Sequence, residues 1–212
     1  VTLTVISLAA VTILCVVLAA SPRFDPLGLS SEARGGYIYA AQILGGVLAL
    51  HVRATMPWLF TGFVTQYWPL LVMSIAFAAV AAGEALDRWG QRIIGLPFSR
   101  TGTFLPLLAV LELFIHASRV HYSIVLLVVG AFYAVLSAIR RSAALGLAAA
   151  AAFNGSLWYL LHHTPGLGIT HHPQLWFIPP ALAVLAAGHL NRRRLNPAQL
   201  RAVHYGCLLA IY

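Results

Sequence analysis

The sequence predicts an all-α fold, a polytopic transmembrane helical bundle with about seven complete spans and the start of an eighth. Three observations predict it. The types A, V, I, L, M, F, W, Y and C fill 60% of the 212 positions, and charged residues only 8%. A soluble domain carries about a quarter of its residues charged, so lipid is the solvent that suits most of this exterior. The apolar residues gather into successive runs of span length, and arginine concentrates on every second link between them.

The first run, 1–20, is uniformly apolar, without a basic n-region or a convincing cleavage site, and reads as a span rather than a signal peptide. Further runs cover 37–55, 64–84, 102–118, 122–139, 143–161 and 175–190. Backbone groups in hydrocarbon must be satisfied within the segment, so each run has to be a helix. In the second run, Ala41 and Gly45 give the small-xxx-small spacing that lets helices approach closely. The links at 119–121 and 140–142 are very short, which makes spans four, five and six consecutive antiparallel neighbours. In the seventh run Ile178-Pro179-Pro180 breaks the hydrogen-bond ladder near one end, a feature of transporter sites and also of simple interfacial kinks. Asn196-Pro197-Ala198-Gln199 supplies an N-cap, a proline at the first helical position and a glutamine at N3, so an eighth helix starts near 198. From Ala202 to Tyr212 is 11 residues, about half of the ~20 that a span needs. The expectation is one transmembrane domain, 1–212, that is a fragment of a longer chain.

The arginines orient the bundle. The formal charge of +8 comes from 13 arginines and no lysine against five carboxylates. The links after spans one, three, five and seven hold Arg23, Arg34, Arg88, Arg92, Arg100, Arg140, Arg141, Arg192, Arg193, Arg194 and Arg201, whereas Arg53 and Arg119 alone follow the even spans. This 11-to-2 split places the odd-numbered links in the cytoplasm and the N-terminus outside. Arg88, Arg92, Arg140, Arg141 and Arg192 to Arg194 carry most of that signal. A basic soluble protein would suggest nucleic acid; arginines placed between apolar runs point to topology and lipid headgroups instead. The partners expected are therefore the bilayer, other membrane subunits and no nucleic acid. Arginine without lysine, with abundant alanine, fits a GC-rich bacterium and hence a bacterial inner membrane. Trp58, Trp68, Trp158, Tyr159 and Trp176 fall near outer span ends and Trp89 near an inner one, as interfacial belts do. Cys15 and Cys207 lie in apolar runs and read as packing residues.

In this frame, seven of nine histidines lie toward the outer side: His51, His116, His121, His162, His163, His171 and His172. In the fourth span Glu112, His116 and Arg119 follow at i, i+4 and i+7 and share one helical face. A carboxylate inside an apolar run needs a partner, a proton or water, so Glu112 is a candidate for a proton relay or a ligand-binding group, with His116, Arg119 and the span-six Asn154 beside it in that role. The plainer alternative is an intrahelical Glu112–His116 pair. Asn154, Gly155 and Ser156 also suit helix-to-helix gluing. His51 and His116, at comparable depth on two helices, have the disposition of axial ligands to a b-type haem, or of ligands to a divalent metal. The outer link holds His162-His163 and His171-His172 on either side of a Pro/Gly turn, a second candidate metal site or a pH-responsive patch.

There is no Walker loop, nucleophile elbow, HExxH or CxxC. Three function classes therefore remain, and the reading leans away from an enzyme. The leading one is a membrane-embedded structural or accessory subunit of a larger complex. A transporter or channel using Glu112 comes next, and then a haem- or metal-binding redox protein using the outward histidines.

Overall fold

The computed structural model describes residues 2–30, 32–113, 120–190, 192 and 195–211. Among them are eight α-helices and no strand: α1 (Thr2–Ala20), α2 (Gly35–Thr55), α3 (Phe63–Arg88), α4 (Arg92–Leu113), α5 (Tyr122–Arg140), α6 (Ala143–His163), α7 (Pro173–Leu190) and α8 (Pro197–Ile211). The first six are long and apolar enough to cross a membrane. The 19 residues of α1 or α5 rise about 28 Å, close to the ~30 Å of bilayer hydrocarbon. The chain divides into two compact units, residues 1–119 and 120–212.

In the first unit α3 and α4 form a tight antiparallel pair. Their closeness comes from glycine. A Cβ on Gly95 would lie 2.7 Å from the Gly83 carbonyl oxygen, and one on Gly102 would lie 2.9 Å from Val80. The expected small-residue contact at Ala41 and Gly45 turns out differently: Ala41 is buried, but a Cβ on Gly45 would meet nothing within 4 Å. Ile38, Met73, Ala76, Val80, Pro106 and Ala109 fill the core. The α2–α4 contact carries a polar bond, in which the Thr101 hydroxyl donates to Gln42 Oε1 at 2.6 Å. In α3 the backbone leaves helical geometry at Tyr67, two residues before Pro69, whose missing N–H explains the kink.

The fourth helix begins at Arg92, well before the apolar stretch that opens near 102. Arg92, Ser99 and Arg100 lower the hydropathy of its first turns, but Ile93, Ile94, Leu96 and Phe98 keep the helix from Arg92 apolar enough to span, and Gly95 and Gly102 dock this end onto α3. Arg92 and Arg100 are therefore helical residues rather than members of a long loop.

The second unit is built on the α5–α6 pair around Val125, Val129, Phe132, Tyr133 and Leu136. The buried Ser156 hydroxyl donates to the Ser123 carbonyl at 2.7 Å. Helix α7 runs on through Pro179 and Pro180. Pro180 has no N–H for the carbonyl four residues back, that of Trp176. Trp158 Nε1–H from α6 donates to that carbonyl at 2.9 Å and makes good the loss. Helix α8 starts with a reciprocal cap: the Asn196 amide donates to Gln199 Oε1 at 3.0 Å and the Ala198 amide to Asn196 Oδ1 at 3.4 Å.

Candidate functional site

The densest grouping of titratable side chains is an imidazole–phenol cluster in the second unit. Tyr159 and His163 are four apart on α6 and so stand on one face. Their rings stack at 4.0 Å between centroids. Tyr122, at the start of α5, also stacks on Tyr159, at 4.8 Å. His121, the N-cap of α5, meets Tyr159 at 5.2 Å and His163 at 6.1 Å, and His162 meets His163 at 5.1 Å.

Tautomers follow from partners. His163 Nδ1 faces the Tyr159 carbonyl at 2.9 Å. A carbonyl only accepts, so Nδ1 carries the proton and Nε2 of the neutral ring is free to accept or ligate. His121 Nδ1 shares a 2.6 Å hydrogen bond with Ser123 Oγ. All three histidines are exposed. Such a cluster offers ring nitrogens and phenol oxygens that donate and accept hydrogen bonds at its surface.

The expected partnership of His162 and His163 with His171 and His172 is not what the fold brings together. The intervening turn is closed by the His171 and His172 amides donating to the Gly168 carbonyl, both at 3.0 Å. His171 Nδ1 pairs with Thr170 Oγ1 at 3.1 Å. Among the described ring contacts, His163 meets His121 and His162 but neither His171 nor His172. The signal for His121 was its place at the mouth of span five beside the end of span six. Among the described residues, no group of three His, Cys, Asp or Glu is placed to hold a metal ion.

In the first unit His51 lies in the last turns of α2, half-buried, and its Nε2 is shielded with no hydrogen-bond partner among the described residues. A shielded ring nitrogen without a partner is what a ligand would satisfy. Nearby in sequence, the Arg53 guanidinium lies 5.5 Å over the Trp68 ring, a cation–π contact. The residues expected to join them, His116 and Arg119, lie outside the described residues, as do Arg193, Arg194 and the side chain of Glu112. Asn154 is half-buried on α6.

The arginines expected to set topology stand at helix ends. Arg88 closes α3 and Arg140 closes α5, where a cation suits the carbonyl end of the helix dipole. Arg141 follows in the left-handed region at φ 50°. Arg92 opens α4, and Arg192 is exposed after α7.

Asp25, which sequence reasoning passed over, organises the link after α1. Its carboxylate accepts from the Leu27 and Leu29 amides at 3.0 and 2.7 Å and from the Tyr37 hydroxyl at 2.8 Å. Desolvation raises its pKa, but those three donors and the nearby Arg34 charge outweigh it and hold the carboxyl below its ordinary value. The sequence signal was an Asp-Pro pair ahead of Gly28, a turn-forming combination. Comparison of the chain with known protein families, with curated proteins and with solved structures finds no match.

Proposed function

We propose that this chain is a membrane-embedded structural or accessory subunit of a larger assembly. The observation that carries the reading is the use made of polar side chains inside the spans. Thr101 bonds to Gln42, Ser156 to the Ser123 carbonyl and Trp158 to the Trp176 carbonyl. Each joins one helix to another, the role polar groups play as glue between helices in lipid. The arginine distribution supports a multi-pass chain in a bacterial inner membrane, with the N-terminus outside and the odd links cytoplasmic.

The test is cross-linking in the native membrane followed by purification of the tagged chain in a gentle detergent. A membrane protein recovered at constant ratio is the expected result. Recovery of the chain alone, at the level of an unrelated multi-pass control, would sink the proposal.

A second reading is favoured by His51 Nε2, buried and without a hydrogen-bond partner among the described residues. It is a ligand role toward a haem or a divalent metal, which imidazole suits. Here the purified chain should show a Soret band or about one metal per chain, lost in His51→Ala; a colourless, metal-free sample excludes it. The transport reading rests on Glu112, whose side chain lies outside the described residues.

A further inference from the structure

A cavity of about 680 Å³ opens in the first unit between the start of α2 and the start of α4. That size falls within the roughly 300–1,000 Å³ of small-molecule sites. Its lining divides by chemistry. Arg92 and Arg100 project from the first turns of α4, and Glu32 lines the space from the link before α2. Ile93, Leu96 and Pro97 provide an apolar wall, and Tyr39 on α2 an aromatic one. The arginines are eight residues apart, about 12 Å of helix rise, within the joint reach of two long side chains. The Arg92–Asp87 pair is long, Nε to Oδ1 4.0 Å, and both side chains are largely exposed, so it competes weakly for the guanidinium.

We infer that this cavity binds a phospholipid whose head group carries an ammonium beside its phosphate. Two guanidinium groups suit phosphate oxygens, to which arginine donates in pairs. Glu32, the carboxylate in the lining, suits an ammonium and opposes a second anion. The apolar wall takes the first carbons of an acyl chain. The height fits as well. The cavity lies where the apolar run 37–55 begins and the start of α2 meets the Arg92–Arg100 stretch of α4, the depth at which head groups stand beside a spanning helix. The inference needs only that the helices span a bilayer, so it stands or falls apart from the subunit reading.

Gly36 gives a clean way in. It lines the cavity, and a Cβ there would meet nothing within 4 Å. A Cβ can therefore be added there without a clash, and a larger side chain extends from it.

The experiment is native mass spectrometry of the full chain, exchanged into detergent micelles carrying equimolar phosphatidylethanolamine and phosphatidylglycerol. One retained phosphatidylethanolamine is expected. Arg92→Gln and Arg100→Gln should each lower its retention about fivefold, as loss of one cation near a lipid surface does. Gly36→Leu should lower it as strongly, Glu32→Gln should shift retention toward phosphatidylglycerol, and Arg53→Gln, at the opposite end of α2, should change nothing. Equal retention of the two lipids by the wild-type chain overturns the head-group assignment. Undiminished retention in both arginine variants and in Gly36→Leu overturns the site. Displacement of the lipid by millimolar inorganic phosphate assigns the cavity to a soluble phosphate and overturns the lipid.

Discussion

Replacing Gly83 by alanine should pry α3 from α4. The added Cβ would lie 2.6 Å from the Ser99 amide nitrogen, 2.8 Å from the Gly95 carbonyl oxygen and 2.8 Å from Ser99 Cβ. Unstrained contact begins at about 3.5 Å, so the helices must part locally by nearly 1 Å. Two opposing terms decide the sign. Alanine favours helix over glycine by about 1 kcal/mol. Overpacking costs about 1–3 kcal/mol, and backbone atoms that cannot swing aside put this site at the upper end. The net is a loss of about 2 kcal/mol, or roughly 4–8 °C in Tm for a chain of this size. Thermal unfolding in micelles, followed by tryptophan fluorescence, reads it. Gly46→Ala is the control, because its Cβ would meet nothing within 4 Å and only the helix-propensity gain remains. A Gly83→Ala protein as stable as the wild type, or shifted no differently from Gly46→Ala, would refute the close packing of this pair.

Two other predictions concern single groups. Trp158→Phe removes the donor to the Trp176 carbonyl and should destabilise by about 0.5–1.5 kcal/mol, the net contribution of an ordinary hydrogen bond. Pro180→Ala returns an N–H to that carbonyl, so a double-mutant cycle should show most of the loss recovered; additive effects would mean the indole bond does not compensate the proline. Asp25 governs a pH response of the first link. Its folded pKa is depressed, so the order it supplies is complete above the ordinary carboxylate pKa and is lost as pH falls through the folded value. Hydrogen exchange at the Leu27 and Leu29 amides, corrected for intrinsic rate, should hold through mildly acid pH and collapse only in strong acid. Loss of protection near neutrality contradicts the assignment.

Much of the fold was legible because hydropathy in a membrane protein reports the solvent directly: eight helices were expected and eight are described. The polar start of α4 was not legible. Arg92, Ser99 and Arg100 interrupt the apolar run and read as a link, although Ile93, Ile94, Leu96 and Phe98 between them carry the helix back to Arg92. Nor could sequence choose among glycines. Gly45 and Gly83 look alike in a string, yet one faces open space and the other a neighbouring backbone, a distinction made by tertiary register. The site was legible in part. Tyr159 read as an interfacial aromatic and His163 as half of a loop pair, and the approach of His121 depends on how α5 packs on α6. The orphaned Trp176 carbonyl followed from Pro180; that the donor would be Trp158 did not.

The central claim, a lipid-embedded subunit of a larger assembly, is tested most directly by the mass of the particle that carries this chain when it is lifted from its native membrane in polymer-bounded lipid discs. The account predicts one discrete particle holding this chain, lipid and at least one other protein in fixed stoichiometry. A particle whose only protein is this chain would contradict it.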